Sequence, residues 1–459
     1  MSVKIGSVLA RLGDFVVGAA PPPAARDRAA GAFLDTIGVT LAGSREPAAQ
    51  IVQRVIAADG PGERSVPATV LGTPLHAGAA DAALANGTAA HALDYDDMCF
   101  VSLAHPSAPL VSAALAAGEG SGASGRALVD AYIVGFEIEA RLGVVMNPRH
   151  YRRGWHCTST LGTIGAAAAA SRLSGLTAAQ TVHALAIAAS EASGLKENFG
   201  TMVKPLHAGL AARNGVLAAS LAQAGLTASE QAIDGSQGFL AAFDSERSDF
   251  AEAIGDLGAR WEICESGITV KLYPSCAGTH PTLDVLLELK RGAGFTADDV
   301  DAIEVGVDAI TPTVLIYERP STGLEAKFSM PFCAAAAVVD GRVDLETFDG
   351  DRLTDPRLAA MMARVSMRVD PSLDASRPAL TQARVTLRLR DGRVLARSAD
   401  GARGYPDKPA SDAELRDKFL ACAARAIVRP QAEQALRLLT ELDDITDVRT
   451  LTRSLCALA

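Results

Sequence analysis

Aromatic residues are scarce in this chain: 13 Phe, 6 Tyr and 2 Trp make up 5% of 459 residues. Few aromatics, together with abundant Ala and Leu, disfavour a sheet-built core and favour helices. Cysteine is sparse too. The seven are odd in number and widely spaced, and no Cys-x-x-Cys pair occurs. That spacing indicates neither a zinc ribbon nor an iron–sulfur run, and reduced thiols in a cytoplasmic protein are the simple expectation. No stretch offers about 18 uninterrupted apolar residues, so no membrane span is expected; the Ala166–Ala170 run ends at Ser171 and Arg172. Lys4, Arg11 and Asp14 interrupt the first residues, which therefore lack the apolar core of a signal peptide. Basic residues are outnumbered, 43 against 53, for a net charge of -10. Nucleic acid is not the expected partner of such a chain. An acidic protein still has room for a locally basic pocket that takes a small anion.

The length fits two domains better than one. From about residue 25 to 260, apolar residues recur at helical spacing, as in 79–93, 158–173, 181–193 and 208–224. The pattern changes after Trp261. Residues 301–307 alternate like a half-buried strand, and 384–397 reads as a hairpin turning at Asp391-Gly392. Helical stretches lie near 279–290 and 332–338, and the helical pattern returns from Ser411. The expected architecture is mainly α. An all-helical domain is formed by 1–265 and 405–459, and a smaller α+β domain by 266–404.

The most informative run is His91-Ala-Leu-Asp94-Tyr-Asp96-Asp97, followed by His105-Pro-Ser107. Three carboxylates and two imidazoles fall within fifteen residues, between small apolar flanks. Buried carboxylates and imidazoles cost free energy unless paired or used, and together they are the usual parts for moving protons. Asp94, three residues after His91, is placed to face it on one helical turn. The bland alternative is a helix end running into a solvated acidic loop.

A second constellation is His150-Tyr151-Arg152-Arg153-Gly-Trp155-His156, entering a helix at Thr158 with Ser159 and Thr160. An ordinary helix cap explains it equally well. In the third, Lys196 precedes the run from Asn198 to Lys204-Pro205-Leu206-His207. A residue before proline avoids helical backbone, which places Lys204 in a loop before a helix at 206–224. The fourth runs from Lys271 through Tyr273-Pro274-Ser-Cys276 to Thr279-His280, at the junction of the two domains. Such junctions are favoured ligand sites. Cys276 reads as an inert buried thiol, and Tyr317 and Lys327 are weaker additions. Gly120-Ser-Gly122-Ala-Ser-Gly125 matches G-x-G-x-x-G but follows a helical stretch, so it reads as a plain loop. His183 reads as a core histidine. No metal-ligand pairing such as His-x-x-x-His is present, so no metal is expected.

In this order, the four constellations resemble the MmgE/PrpD family. The matching residues are Asn86 to Asp97 with His105-Pro106-Ser107, Gly154-Trp155-His156 with Thr158 to Gly162, Lys204 to Gly209, and Lys271 with Pro274. The resemblance covers nearly the whole chain. It implies a large helical domain built from both chain ends, a smaller inserted domain and a homodimer. Members include 2-methylcitrate dehydratase, cis-aconitate decarboxylase and iminodisuccinate epimerase. Their shared chemistry is proton movement beside a carboxylate of a small polycarboxylate, without metal or organic cofactor. The resemblance thus makes Asp94, His105, Tyr151 and His156 the acid–base candidates, and Lys204, Lys271, His207 and Tyr317 the substrate-binding ones. Decarboxylase members carry a histidine two residues after the proline matching Pro274, where this chain has Cys276. That departure lowers the case for decarboxylation and leans slightly toward the epimerase branch. Dehydration of a citrate-like hydroxy acid remains the nominal reaction, with epimerisation second, decarboxylation third and a non-catalytic helical scaffold as the competing class.

Overall fold

The computed structural model describes residues 7–59, 67–246, 249–373 and 382–457. Helix α1 spans Val8–Gly18, α2 Pro23–Gly43 and α3 Pro47–Asp59. They are followed by α4 (Ala79–His91), α5 (Ser107–Ser121), α6 (Gly125–Met146), α7 (Cys157–Leu173), α8 (Ala178–Glu191) and α9 (Val203–Gln223). Helix α9 packs against both α4 and α7, and α6 against α7. Helix α7 is buried at all but one of its positions, Arg172 being half-buried, as suits a helix that is apolar nearly all round. Two later helices, Asp412–Ala423 and Arg429–Thr440, pack back on α2. The mainly α architecture expected from composition is what forms. Among the described residues, no helix is long and apolar enough to cross a membrane.

Small residues bring α4 and α9 together. A Cβ on Gly209 would lie 2.2 Å from Thr88 Oγ1 and 2.4 Å from the Leu84 carbonyl oxygen, and one on Gly87 would lie 2.8 Å from the Gly209 Cα. The backbones therefore touch, and this contact sets the distance from His91, at the end of α4, to Lys204, at the start of α9. Gly209→Ala is expected to cost at least about 2 kcal/mol, because behind the Thr88 hydroxyl the Leu84 carbonyl is backbone and has no room to give. Gly120→Ala, on an exposed helical position with nothing within 4 Å, is expected to be neutral or slightly stabilising. Urea unfolding of the two variants checks the pair; equal midpoints would mean that the close crossing carries no load.

The smaller unit holds one four-stranded sheet. Strand β1 is Val300–Val307, β2 Val365–Val369, β3 Ala383–Leu389 and β4 Val394–Ala399, in the order β2-β1-β3-β4. The β1–β2 pair is parallel and the other two are antiparallel. The hairpin turns at Asp391-Gly392 as read from sequence, with Gly392 at φ +90°. Strand β2 escaped the sequence reading. Helix His280–Gly292 packs on β3 and β4, and Met330–Asp340 on β2. At the seam between the helices and this sheet unit, Met98 and Thr269 exchange backbone hydrogen bonds of 2.9 and 2.8 Å.

Candidate functional site

Helix α4 ends at His91, and the chain then makes a tight bend with Asp94 in left-handed backbone at φ +50°. Asp94 therefore does not face His91 across one helical turn. Three buried lysines fix the bend by donating to three successive carbonyls. Lys327 donates to Leu93 O at 2.8 Å, Lys271 to Asp94 O at 2.9 Å and Lys418 to Tyr95 O at 2.8 Å. Cations suit this place, since a helix C-terminus leaves carbonyls unpaired. Lys418 also forms an ion pair with the buried Asp35 at 2.6 Å. Nothing in the sequence marked Lys418 or Asp35.

The Asp94 carboxylate receives Lys204 Nζ at 2.6 Å, and Lys271 Nζ stands 3.2 Å from its other oxygen. Burial alone would raise the Asp94 carboxyl, but the two ammonium groups outweigh it and hold it well below the usual range. Lys204 lies within the first turn of α9, not in a loop before it. Pro205 is accepted there because first-turn N–H groups have no helical partner to lose.

The second carboxylate, Asp96, serves the imidazoles. Its Oδ2 is 2.7 Å from His91 Nδ1 and 3.4 Å from His105 Nδ1. The carboxylate that meets the imidazoles is thus Asp96, and Asp94 meets the lysines. Lys204 Nζ also reaches His91 Nε2 at 2.7 Å. The His105 and His156 rings lie 4.5 and 5.6 Å from the His91 ring. His156, just before α7, places Nδ1 3.0 Å from Nδ1 of His207, while its own buried Nε2 has no hydrogen-bond partner among the described residues. His207 thus stands paired with His156. Burial, reinforced by Lys204, lowers the His207 imidazole to about 4 and drives His156 well below its ordinary value. Burial likewise lowers His91 to about 3, with Asp96 opposing and Lys204 assisting, and His105 is lowered by burial and Lys271.

These imidazoles are neutral bases at neutral pH. Because their protonation lies below the ordinary 6.5, the ring resonances of His91 and His207 are expected to hold their neutral positions down to pH 5. Carbon-detected NMR of histidine-labelled protein checks this; a titration step near 6.5 in either would mean that the cluster is open to water.

Other candidates occupy different ground. Tyr151 is buried, its ring lies under Lys196 Nζ at 3.6 Å, and burial keeps its phenol well above the usual range. Tyr317, from the smaller unit, donates its hydroxyl to Phe199 O at 2.9 Å across the seam. Cys276 is buried, and its thiol is pushed up to about 11 by burial and then Asp94. His150 is spent on Phe243 O and Thr160 Oγ1. Asp97 accepts from Ser107, and burial lifts its carboxyl to about 8. His91, Asp94, Asp96 and His105 each offer a ligand atom, all within 4.8 Å of one another, which would suit a cation. Lys204 supplies a positive charge at that point.

A family model described as the MmgE/PrpD N-terminal domain matches residues 10–251, and one for the MmgE/PrpD C-terminal domain matches 273–444. The chain belongs to the MmgE/PrpD family. Cis-aconitate decarboxylase of Mus musculus is 30% identical over 388 residues, covering 82% of this chain and 78% of that protein. A cis-aconitate decarboxylase-like protein of Aspergillus oryzae is 28% identical over 477 residues, covering 98% and 97%. Cis-aconitate decarboxylase of Aspergillus terreus is 26% identical over 451 residues, covering 93% and 90%. The MmgE/PrpD membership expected from the four motifs is therefore shown. The run that holds His91 and Asp96 was singled out in the sequence, but neither residue was assigned a role. The signal was there, since both stand in the quoted motif, but the helix end that separates their partners was not legible.

Proposed function

We propose that this chain is a lyase or isomerase that moves a proton at a carbon beside a carboxylate of a small di- or tricarboxylate. One observation carries the reading: a buried ammonium, Lys204, stands among imidazoles held neutral. A carbon acid of this kind is weak. It needs a placed base and a cation for the charge that develops on the carboxylate. Lys204 is the cation that meets the substrate. Lys271, fully buried and spent on Asp94, backs that carboxylate instead of reaching out. His156 is the foremost base, since its Nε2 is buried without a partner among the described residues, and His105 is the second. Tyr151 keeps its proton and is available only as an acid. Tyr317 latches the seam over the site.

Neutral imidazoles favour reactions that begin by removing a proton. Loss of water from a citrate-like hydroxy acid is the first of these, and epimerisation of a substituted dicarboxylate the second. Decarboxylation is a further reading, favoured by the names of the three relatives. It requires a group to protonate the carbon that loses its carboxylate, and a thiol held near 11 at Cys276 serves this less well than an imidazole. A homodimer needing no metal or organic cofactor completes the proposal, on the strength of the family.

Proton NMR in heavy water with 2-methylcitrate, citrate, cis-aconitate and iminodisuccinate tests it. Appearance of an alkene from a hydroxy acid is the expected result. Exchange with inversion would move the assignment to epimerisation, and loss of a carboxylate from cis-aconitate to decarboxylation. No exchange with any of them would overturn the proton-transfer reading in favour of a scaffold.

A further inference from the structure

The proton on His91 is determined by its neighbours. An ammonium has three donors and no acceptor, so at 2.7 Å from Lys204 Nζ the His91 Nε2 atom accepts. The ring proton then resides on Nδ1, which donates to Asp96 Oδ2 at 2.7 Å. A carboxylate that receives Nδ1–H fixes both tautomer and ring orientation. Two of the three Lys204 protons are spent, one on His91 and one on Asp94 at 2.6 Å. One remains.

We propose that Asp96 and His91 are positioning residues that aim the remaining N–H of Lys204 at the substrate carboxylate. The inference rests on the reading of Lys204 as the cation that meets the substrate. His91 touches no substrate in this arrangement. It acts as a fixed acceptor, and Asp96 keeps it so. Without the Nε2 lone pair, the lysine head is tied only at Asp94 and swings about its last bond. The His105 and His156 rings pack on His91 and hold its plane.

Two variants and one spectrum decide it. His91→Phe keeps a flat ring but removes both hydrogen bonds, and kcat/KM is expected to fall about 10- to 100-fold, the worth of one hydrogen bond to a charged group. His91→Gln restores an acceptor near the former Nε2, and should recover most of that loss at an unfolding midpoint no higher than that of the Phe variant. A purely structural role would leave the two equally impaired, or order them by stability, and would overturn the proposal. Nitrogen NMR of the histidine-labelled wild-type protein, with His91 assigned by its loss in His91→Gln, is expected to show the Nδ1-protonated neutral tautomer. The Nε2-protonated form would overturn the relay by itself. The spectrum requires no substrate, so failure of the relay and failure of the proposed function are read separately.

Discussion

Lys204→Met is expected to lower kcat/KM by about 10³-fold on whichever substrate the exchange panel identifies. Removing one preorganised donor to a developing oxyanion costs about 10²- to 10³-fold. Here the donor is a full charge within a buried cluster, which places the effect at the upper end. The fold should survive. Methionine fills nearly the same volume, and Asp94 keeps Lys271 at 3.2 Å. A midpoint shift of a few degrees is the expected structural effect. Steady-state kinetics beside a thermal melt separates the two. Retained activity would place the substrate cation elsewhere, and an unfolded variant would make Lys204 a structural residue.

Asp94→Asn is expected to be the most destabilising change in the site, by about 3–5 kcal/mol. That range is typical when one partner of a buried ion pair is removed and the other is left uncompensated. In this case two ammonium groups are left, and both are buried. The choice of asparagine matters. Asp94 sits at φ +50°, a conformation that Asn tolerates better than most residues, so the loss reports charge and not backbone strain. Urea unfolding measures it. A small dicarboxylate should restore more stability to the variant than to the wild type, by standing in for the missing carboxylate. A wild-type midpoint would show that the two lysines do not depend on Asp94.

Much of the helical architecture was legible because Ala, Leu and Gly recur at a single period over long stretches. Strand β2 was not. It is five residues long, it is largely exposed, and its partner β1 lies some sixty positions earlier in the chain. The site was legible as a neighbourhood. His91, Asp94, Asp96 and His105 are close in sequence, and no short segment could have hidden their proximity. Their pairing was hidden, because it depends on where α4 stops. Helical backbone continued past His91 would have turned Asp94 onto its face. The bend at Ala92–Tyr95 turns it to the lysines and leaves Asp96 to the imidazoles. The start of α9 was placed three residues too late for a similar reason, since a proline three residues into a helix looks the same in sequence as one before it. The charge partners Asp35 and Lys418 had no mark of function, being separated by almost the whole chain.

That separation bears on the order in which the protein is made. The bend that carries Asp94 is held by cations from residues 271, 327 and 418, so its last fastening leaves the ribosome only after more than four hundred residues have been joined. Until then the Tyr95 carbonyl lacks its lysine and the buried Asp35 its counter-charge. Burying Asp35 without that ammonium is costly, so the closing helix completes the bend and the charge balance beneath it together.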